Sequence, residues 1–251
     1  MSRWEIYNAL TEDKPKIKLR IDRLLPKVTR EFKRDSIFPA WKWDIYVHQK
    51  SHNRYLISFY ADSPSKADNP EVDYFAFMNC KGETLVVQWG CWPYHISGVK
   101  HVMTRHLDFY TPHFFHRYGQ RIWGDKVIPY YELLCRYFSR NKQLVPIEQS
   151  EDLSLRYKKY GELAQYAFEV NDGICFVKFF CEGEKETVNR RDSSFISTTI
   201  YSTIVNRGLL SETQIKAIKK GEFDFAVDLL KKVFGASIEQ GSPIIQPDNL
   251  L

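Results

Sequence analysis

The residues that decide the fold run from position 41 to position 48 and read Trp41-Lys42-Trp43-Asp44-Ile45-Tyr46-Val47-His48. The odd-numbered positions are apolar, and every even-numbered position carries a polar group. Because successive side chains of a β-strand point to opposite faces, this alternation predicts a strand with one buried face. Gln49–Asn53 is expected to form a turn that leads into a partner strand at Arg54–Ala61.

Further segments on both sides of this hairpin extend the pattern. Downstream, a second hairpin is expected from Asp73–Met78 and Glu83–Trp89, and Val99–Leu107 predicts another strand. Upstream, Lys14–Arg34 has apolar residues at helical spacing, which predicts an amphipathic helix with a break or kink at Pro26. The order favours an α+β fold with a mainly antiparallel sheet built from hairpins, and not a βαβ winding.

The second half of the chain is expected to add packed helices, short strands and a helical C-terminal region. The predicted elements are a helix at Pro129–Arg140, a helix at Glu151–Phe168, a turn at Asn171–Gly173, β segments at Ile174–Phe180 and Thr187–Thr199, and helices ending at Gly208, Gly221 and Gly235. We expect a single α+β domain over residues 1–235, with residues 141–150 as the best candidate sub-boundary. Residues 236–251 are expected to form a flexible tail that a protein partner could order.

Composition restricts the class of protein only mildly. The net charge is +5 and the sequence pI is about 8.8, which permits binding of a polyanion without requiring it. No stretch approaches the ~18–20 apolar residues of a membrane span, so no membrane partner is expected. The five cysteines form no CxxC pair, which disfavours a disulfide framework and a zinc ribbon and favours a cytoplasmic location.

The main functional candidate lies between Asp108 and Asp125, a segment without any carboxylate that reads Phe-Tyr-Thr-Pro-His-Phe-Phe-His-Arg-Tyr-Gly-Gln-Arg-Ile-Trp-Gly. Thr111 is expected to cap a helix, and Pro112 suits its first position. At roughly 100° per residue, one side of that helix is apolar and the other is polar. The polar side carries His113, His116, Arg117, Gln120 and Arg121.

These residue types indicate chemistry on a phosphodiester. Arginines one turn apart can hold phosphate oxygens through planar, bidentate donors. His113 lies near the helix N-terminus, where the macrodipole disfavours imidazolium, so it is the candidate general base, and His116 is the candidate acid. Gln120, Arg117 and Arg121 are the candidate substrate-binding residues on the helix, and a turn near Arg190 and Arg191 is expected to add phosphate contacts.

The sequence therefore predicts a protein that engages nucleic acid, RNA more than DNA, and that acts as a metal-independent ribonuclease if it is an enzyme. No cofactor and no metal are required by this scheme. Two alternatives stay open: a non-enzymatic protein-interaction module, and a metal-dependent hydrolase in which His113 and His116 join His101 or His106 as ligands. The basic residues of Lys14–Arg34 fit a solvated helix face, and also a second element that contacts a polyanion.

Overall fold

The protein is described by a computed structural model that covers residues 1–96, 99–124, 126–147, 166–182, 192–206 and 208. The helices are α1 (Arg3–Phe32), α2 (Pro112–Tyr118) and α3 (Tyr130–Arg140). The strands are β1 (Ala40–Val47), β2 (Arg54–Ala61), β3 (Glu71–Cys80), β4 (Glu83–Ile96), β5 (Val99–Tyr110), β6 (Val145–Ile147), β7 (Tyr166–Val170), β8 (Gly173–Glu182) and β9 (Asp192–Val205). A short 3-10 turn covers Pro64–Lys66, and a π-helical turn covers Gly119–Trp123. The fold is α+β, as predicted.

The nine strands of the described residues form one sheet in the order β1-β2-β3-β4-β5-β9-β8-β7-β6. The strands β1 to β5 form one antiparallel meander, and β6 to β9 form a second. The meanders meet where β5 pairs with β9 in parallel, the single parallel ladder in this described sheet. The prediction of a mainly antiparallel sheet is confirmed, and the sheet is mixed because of this junction.

Both predicted hairpins are present, and the two strands of the second hairpin are longer than the pattern indicated. The second strand has the predicted bounds, Arg54–Ala61, and β1 begins one residue before Trp41. The turn between β3 and β4 places Lys81 and Gly82 at φ values of 49° and 85°. Glycine adopts such a left-handed conformation without a steric penalty, which explains why the chain reverses here.

Helices cover both faces of the sheet. Alternate residues of β2 separate the two sides, since Tyr55 and Ile57 pack with α1 while Leu56 packs with α2 and α3. The second core is rich in aromatic rings: Tyr110 stacks on Tyr201 with centroids 4.2 Å apart. Burial of these rings joins the end of β5 to β9, so the segment that follows β5 starts from a rigid base.

The first helix is longer than predicted. It begins at Arg3, where Ser2 and Glu5 form a capping box. It continues through Pro26 to Phe32, so a break at Pro26 is wrong. A proline removes one backbone hydrogen bond, but Val28 and Phe32 beyond it are buried against the sheet and hold the last turns in place. No helix among the described residues is long and apolar enough to cross a membrane.

Two predicted helices in the second half are corrected. Tyr166–Phe168, expected to end a helix, belongs to β7, because the turn at Asp172 and Gly173 pairs this segment with β8. A helix ending at Gly208 is also wrong, since β9 extends to Val205. Residues 151–165, the predicted helices ending at Gly221 and Gly235, and the tail at 236–251 lie outside the described residues.

Candidate functional site

The helix α2 starts as the sequence predicts. The Thr111 hydroxyl accepts a hydrogen bond from the Phe114 amide at 3.1 Å, and Pro112 occupies the first helical position. Phe114, Phe115 and Tyr118 are fully buried on its inner side. The Thr111 amide also donates to the carbonyl of Tyr201 at 3.2 Å, which ties the helix start to β9. The α2 backbone is therefore fixed on its apolar side.

The exposed side of α2 carries His113, His116 and Arg117, and Gln120 follows in the π-helical turn; we call these four residues the α2 face. His113, His116 and Gln120 are exposed, and Arg117 is partly exposed. The Arg117 guanidinium donates from Nη1 to Gln120 Oε1 at 3.0 Å and, weakly, from Nε to His113 Nε2 at 3.4 Å. Two neighbours therefore orient the guanidinium while most of its five N–H donors remain available.

No ion pair with a carboxylate involves the α2 face among the described residues. Its positive charge is therefore not neutralised by the described part of the fold. Partial loss of hydration, followed by the positive charges of Arg117, His116 and Arg121, lowers the pKa of the exposed His113 below its usual value. A neutral imidazole is consistent with its role as acceptor for Arg117, which requires the tautomer protonated at Nδ1.

Arg121 lies apart from the α2 face because the helix changes its pitch. After Tyr118 the chain enters the π-helical turn, whose wider winding alters the predicted 100° spacing. The Arg121 Nη1 donates to the carbonyl of Ile204 at 2.5 Å and to Thr203 Oγ1 at 3.3 Å. Partial burial and the charge of Arg117 lower its pKa. Arg121 thus fastens the turn to β9, and its substrate-binding role stays a prediction.

Beneath α2, the carboxylate of Asp172 collects several donors that the sequence interpretation missed. The Tyr118 hydroxyl donates to it at 2.7 Å, and Arg140 Nη2 does so at 2.6 Å. The Asn141 side chain adds a bond of 2.9 Å. Although burial opposes ionisation, these donors lower the pKa of Asp172 below its usual value. The sequence signal, Asp172 before Gly173, indicated only a turn.

Two other histidines of the first half, His106 and His48, belong to largely buried polar groups. His106 Nε2 lies 2.8 Å from Asp108 Oδ1, and its Nδ1 lies 2.9 Å from Ser197 Oγ across the β5–β9 junction. The order serine, histidine, carboxylate is that of a catalytic triad, but Ser197 is only 2% exposed, so its hydroxyl is not presented to a substrate. Near β1, His48 Nδ1 lies 3.2 Å from Asp13 Oδ1 in a similar buried group.

The remaining predicted residues do not extend the site. Arg190 and Arg191 lie outside the described residues, as does the side chain of His101. His106 already pairs with Asp108, and no group of three or more His, Cys, Asp or Glu side chains in the described part of the chain is placed to hold a metal. The metal-hydrolase alternative therefore gains no ligand set from this region.

Comparison with known proteins gives no assignment. No protein-family model matches the chain, and neither a curated protein nor a solved structure is significantly similar to it. The functional argument therefore depends on the geometry of the site.

Proposed function

We propose that the protein binds RNA through the α2 face. The observation that carries the proposal is the state of Arg117, which is held by His113 and Gln120 and pairs with no carboxylate among the described residues. A guanidinium already oriented by neighbours loses less side-chain entropy when it binds a phosphate. Arg117 would contact non-bridging phosphate oxygens, and the exposed His116 and Gln120 would contact the adjoining sugar and phosphate.

RNA is preferred to DNA because of the two histidines. A 2′-hydroxyl both donates and accepts hydrogen bonds, and it is the group that distinguishes RNA from DNA at a protein surface. With Nε2 facing Arg117, the His113 ring has Nδ1–H free to donate to such a hydroxyl. A non-enzymatic protein-docking module would need neither the oriented Arg117 guanidinium nor the Nδ1–H donor of His113.

The test is fluorescence anisotropy with a labelled single-stranded RNA over a range of salt concentrations. Replacement of Arg117 by alanine should weaken binding and lower the slope of log affinity against log salt by about 0.7, the value for one phosphate contact on a single strand. Lys126→Ala is the matched control, because it removes the same charge from an exposed position close in sequence to the α2 face. Equal affinities for wild type and Arg117→Ala would refute the proposal. DNA of the same sequence should bind more weakly.

Cleavage of the bound RNA is the narrower form of the proposal, and the lowered pKa of His113 favours it. For cleavage, His113 Nε2 would exchange its long 3.4 Å bond from Arg117 for the 2′-hydroxyl and take its proton. The 2′-oxygen would then attack phosphorus while protonated His116 gives its proton to the leaving 5′-oxygen. Labelled RNA incubated with the protein in EDTA should then be cut, and His113→Ala should abolish the cutting while RNA binding persists. If wild type leaves the RNA intact, binding remains the function and the enzymatic form is wrong.

A further inference from the structure

The opposite face of the sheet carries a second basic surface, on α1. The apolar side of this helix is buried, with Ile6, Leu10, Ile17, Val28 and Phe32 each at most 8% exposed. Its outward side therefore meets solvent along the whole length of the helix. No other described element packs over that outward side. Its pattern of charges therefore determines what it can bind.

Four exposed cations form a line along this outward side, which we call the α1 stripe: Lys16, Arg23, Lys27 and Arg30. At roughly 100° and 1.5 Å per residue, they fall within about 60° of one another and span roughly 21 Å of the helix. Neighbouring members lie roughly 4–11 Å apart along the axis. A line of positive charges at this spacing suits an extended chain of regularly spaced anions.

Ion pairs neutralise the flanks of α1 more than the stripe. Arg20, at the margin towards the sheet, binds Asp44 through two nitrogens at 2.9 and 3.0 Å. Lys33 pairs with Asp68 at 2.5 Å. Within the stripe, the described ion pairs include only Lys27 with Glu31, which is exposed and long at 3.7 Å. Such exposed pairs contribute little, so the stripe stays positively charged.

We propose that the α1 stripe is a second binding site for the RNA backbone, so that one molecule engages two segments of RNA on opposite faces of its sheet. The choice of ligand class rests on the proposed function of the α2 face; the site itself rests on the α1 geometry. An anionic membrane fits less well, because a membrane-binding amphipathic helix inserts its apolar side, and that side of α1 is buried in the core. Among the described residues of α1, Leu19 is the one large apolar side chain that is exposed, at 42%. The outward side of α1 therefore offers little apolar surface for insertion into a membrane.

The experiment measures how many short oligouridine molecules bind each protein, and how binding depends on salt. The test variant combines Lys16→Ala, Arg23→Ala and Arg30→Ala. The control variant combines Lys18→Ala, Lys50→Ala and Lys66→Ala, which removes the same charge from exposed positions off the stripe. Wild type should bind two oligomers, and the test variant one, with about tenfold weaker binding of a long RNA and a salt slope lower by about 2. The control should retain two.

The outcomes separate this inference from the proposed function. Loss of one oligomer in the stripe variant and of the other in Arg117→Ala supports both sites. Loss in the stripe variant alone supports the α1 site and refutes the α2 face. Unchanged stoichiometry and affinity in the stripe variant overturn the inference whatever Arg117→Ala does. Phosphatidylserine vesicles that bind wild type but not the stripe variant, with RNA binding the same for both proteins, would assign the stripe to a membrane and overturn the inference. Circular dichroism and thermal unfolding confirm that the stripe variant is folded.

Discussion

The β5–β9 junction and the α2 face both carry histidines, yet their surroundings differ completely. At the junction, the His106 side chain is largely enclosed, with Asp108 Oδ1 2.8 Å from Nε2 and Ser197 Oγ 2.9 Å from Nδ1. On the α2 face, His113 and His116 are exposed and are surrounded by cations and amides. A buried polar group must be paired to be tolerated, whereas an exposed cationic group without a carboxylate is available to a ligand. Burial and the sign of the neighbouring charge, more than residue type, therefore separate a structural histidine from one that is accessible to a ligand.

Loss of the Asp108 carboxylate should destabilise the β5–β9 junction strongly. Asp108→Ala should lower the free energy of unfolding by about 3 kcal/mol, since it leaves the His106 ring buried without its carboxylate. The affinity of the folded protein for RNA should not change. Urea denaturation and anisotropy measure the two quantities. The matched control is His116→Ala on the α2 face, which should change stability by less than about 0.5 kcal/mol. An Asp108→Ala protein with unchanged stability and weakened RNA binding would contradict the structural role of the junction.

A second variant tests the support beneath α2. Asp172→Asn should cost about 2 kcal/mol at neutral pH, because the carboxylate accepts from Tyr118, Arg140 and Asn141. The pKa of Asp172 is lowered in the folded state, so its stabilisation is present above the usual aspartate value of 3.8 and is lost as the pH falls through the folded value. The difference between wild type and variant should therefore shrink below pH 3.8. A difference that stayed constant with pH would show that ionised Asp172 is not the source.

A smaller effect concerns the pH dependence of RNA binding at the α2 face. RNA binding should tighten as the pH falls, because protonated His113 adds a cation, and its lowered pKa places this gain below the ordinary histidine value of 6.5. The change should be about threefold, since a single charge is involved. His113→Ala should lack this part of the pH dependence, while His106→Ala, if folded, should keep it. An identical pH profile for wild type and His113→Ala would contradict the assignment.

Sequence patterns predicted the features that depend on near neighbours. The alternation at Trp41–Val47 predicted β1, and Thr111 followed by Pro112 predicted the start of α2. The burial of side chains at the sheet edge was predicted less well. Trp43 and Val47 were expected on a buried face, but they are 37% and 51% exposed. The strand β1 lies at the edge of the sheet, where fewer elements cover its outer positions.

Features that depend on distant partners escaped prediction. The parallel pairing of β5 with β9 joins residues about 91 positions apart, such as His106 and Ser197, and no local pattern indicates it. The π-helical turn that directs Arg121 towards β9 also escaped, because a 3.6-residue period was assumed through Trp123. One signal was available: His106 and Asp108 are two apart in a strand and so share a face.

The parallel junction also determines how the two halves of the chain can assemble. Each meander fixes its own strand alignment through short turns, but β5 and β9 must find each other after closure of a long intervening segment that includes α2 and α3. A slip of one residue would place Ser197 on the other face and bring Ile196 or Thr198 opposite His106. The hydrogen bond between His106 Nδ1 and Ser197 Oγ is made only in the native alignment, so it favours correctly paired halves over misaligned ones.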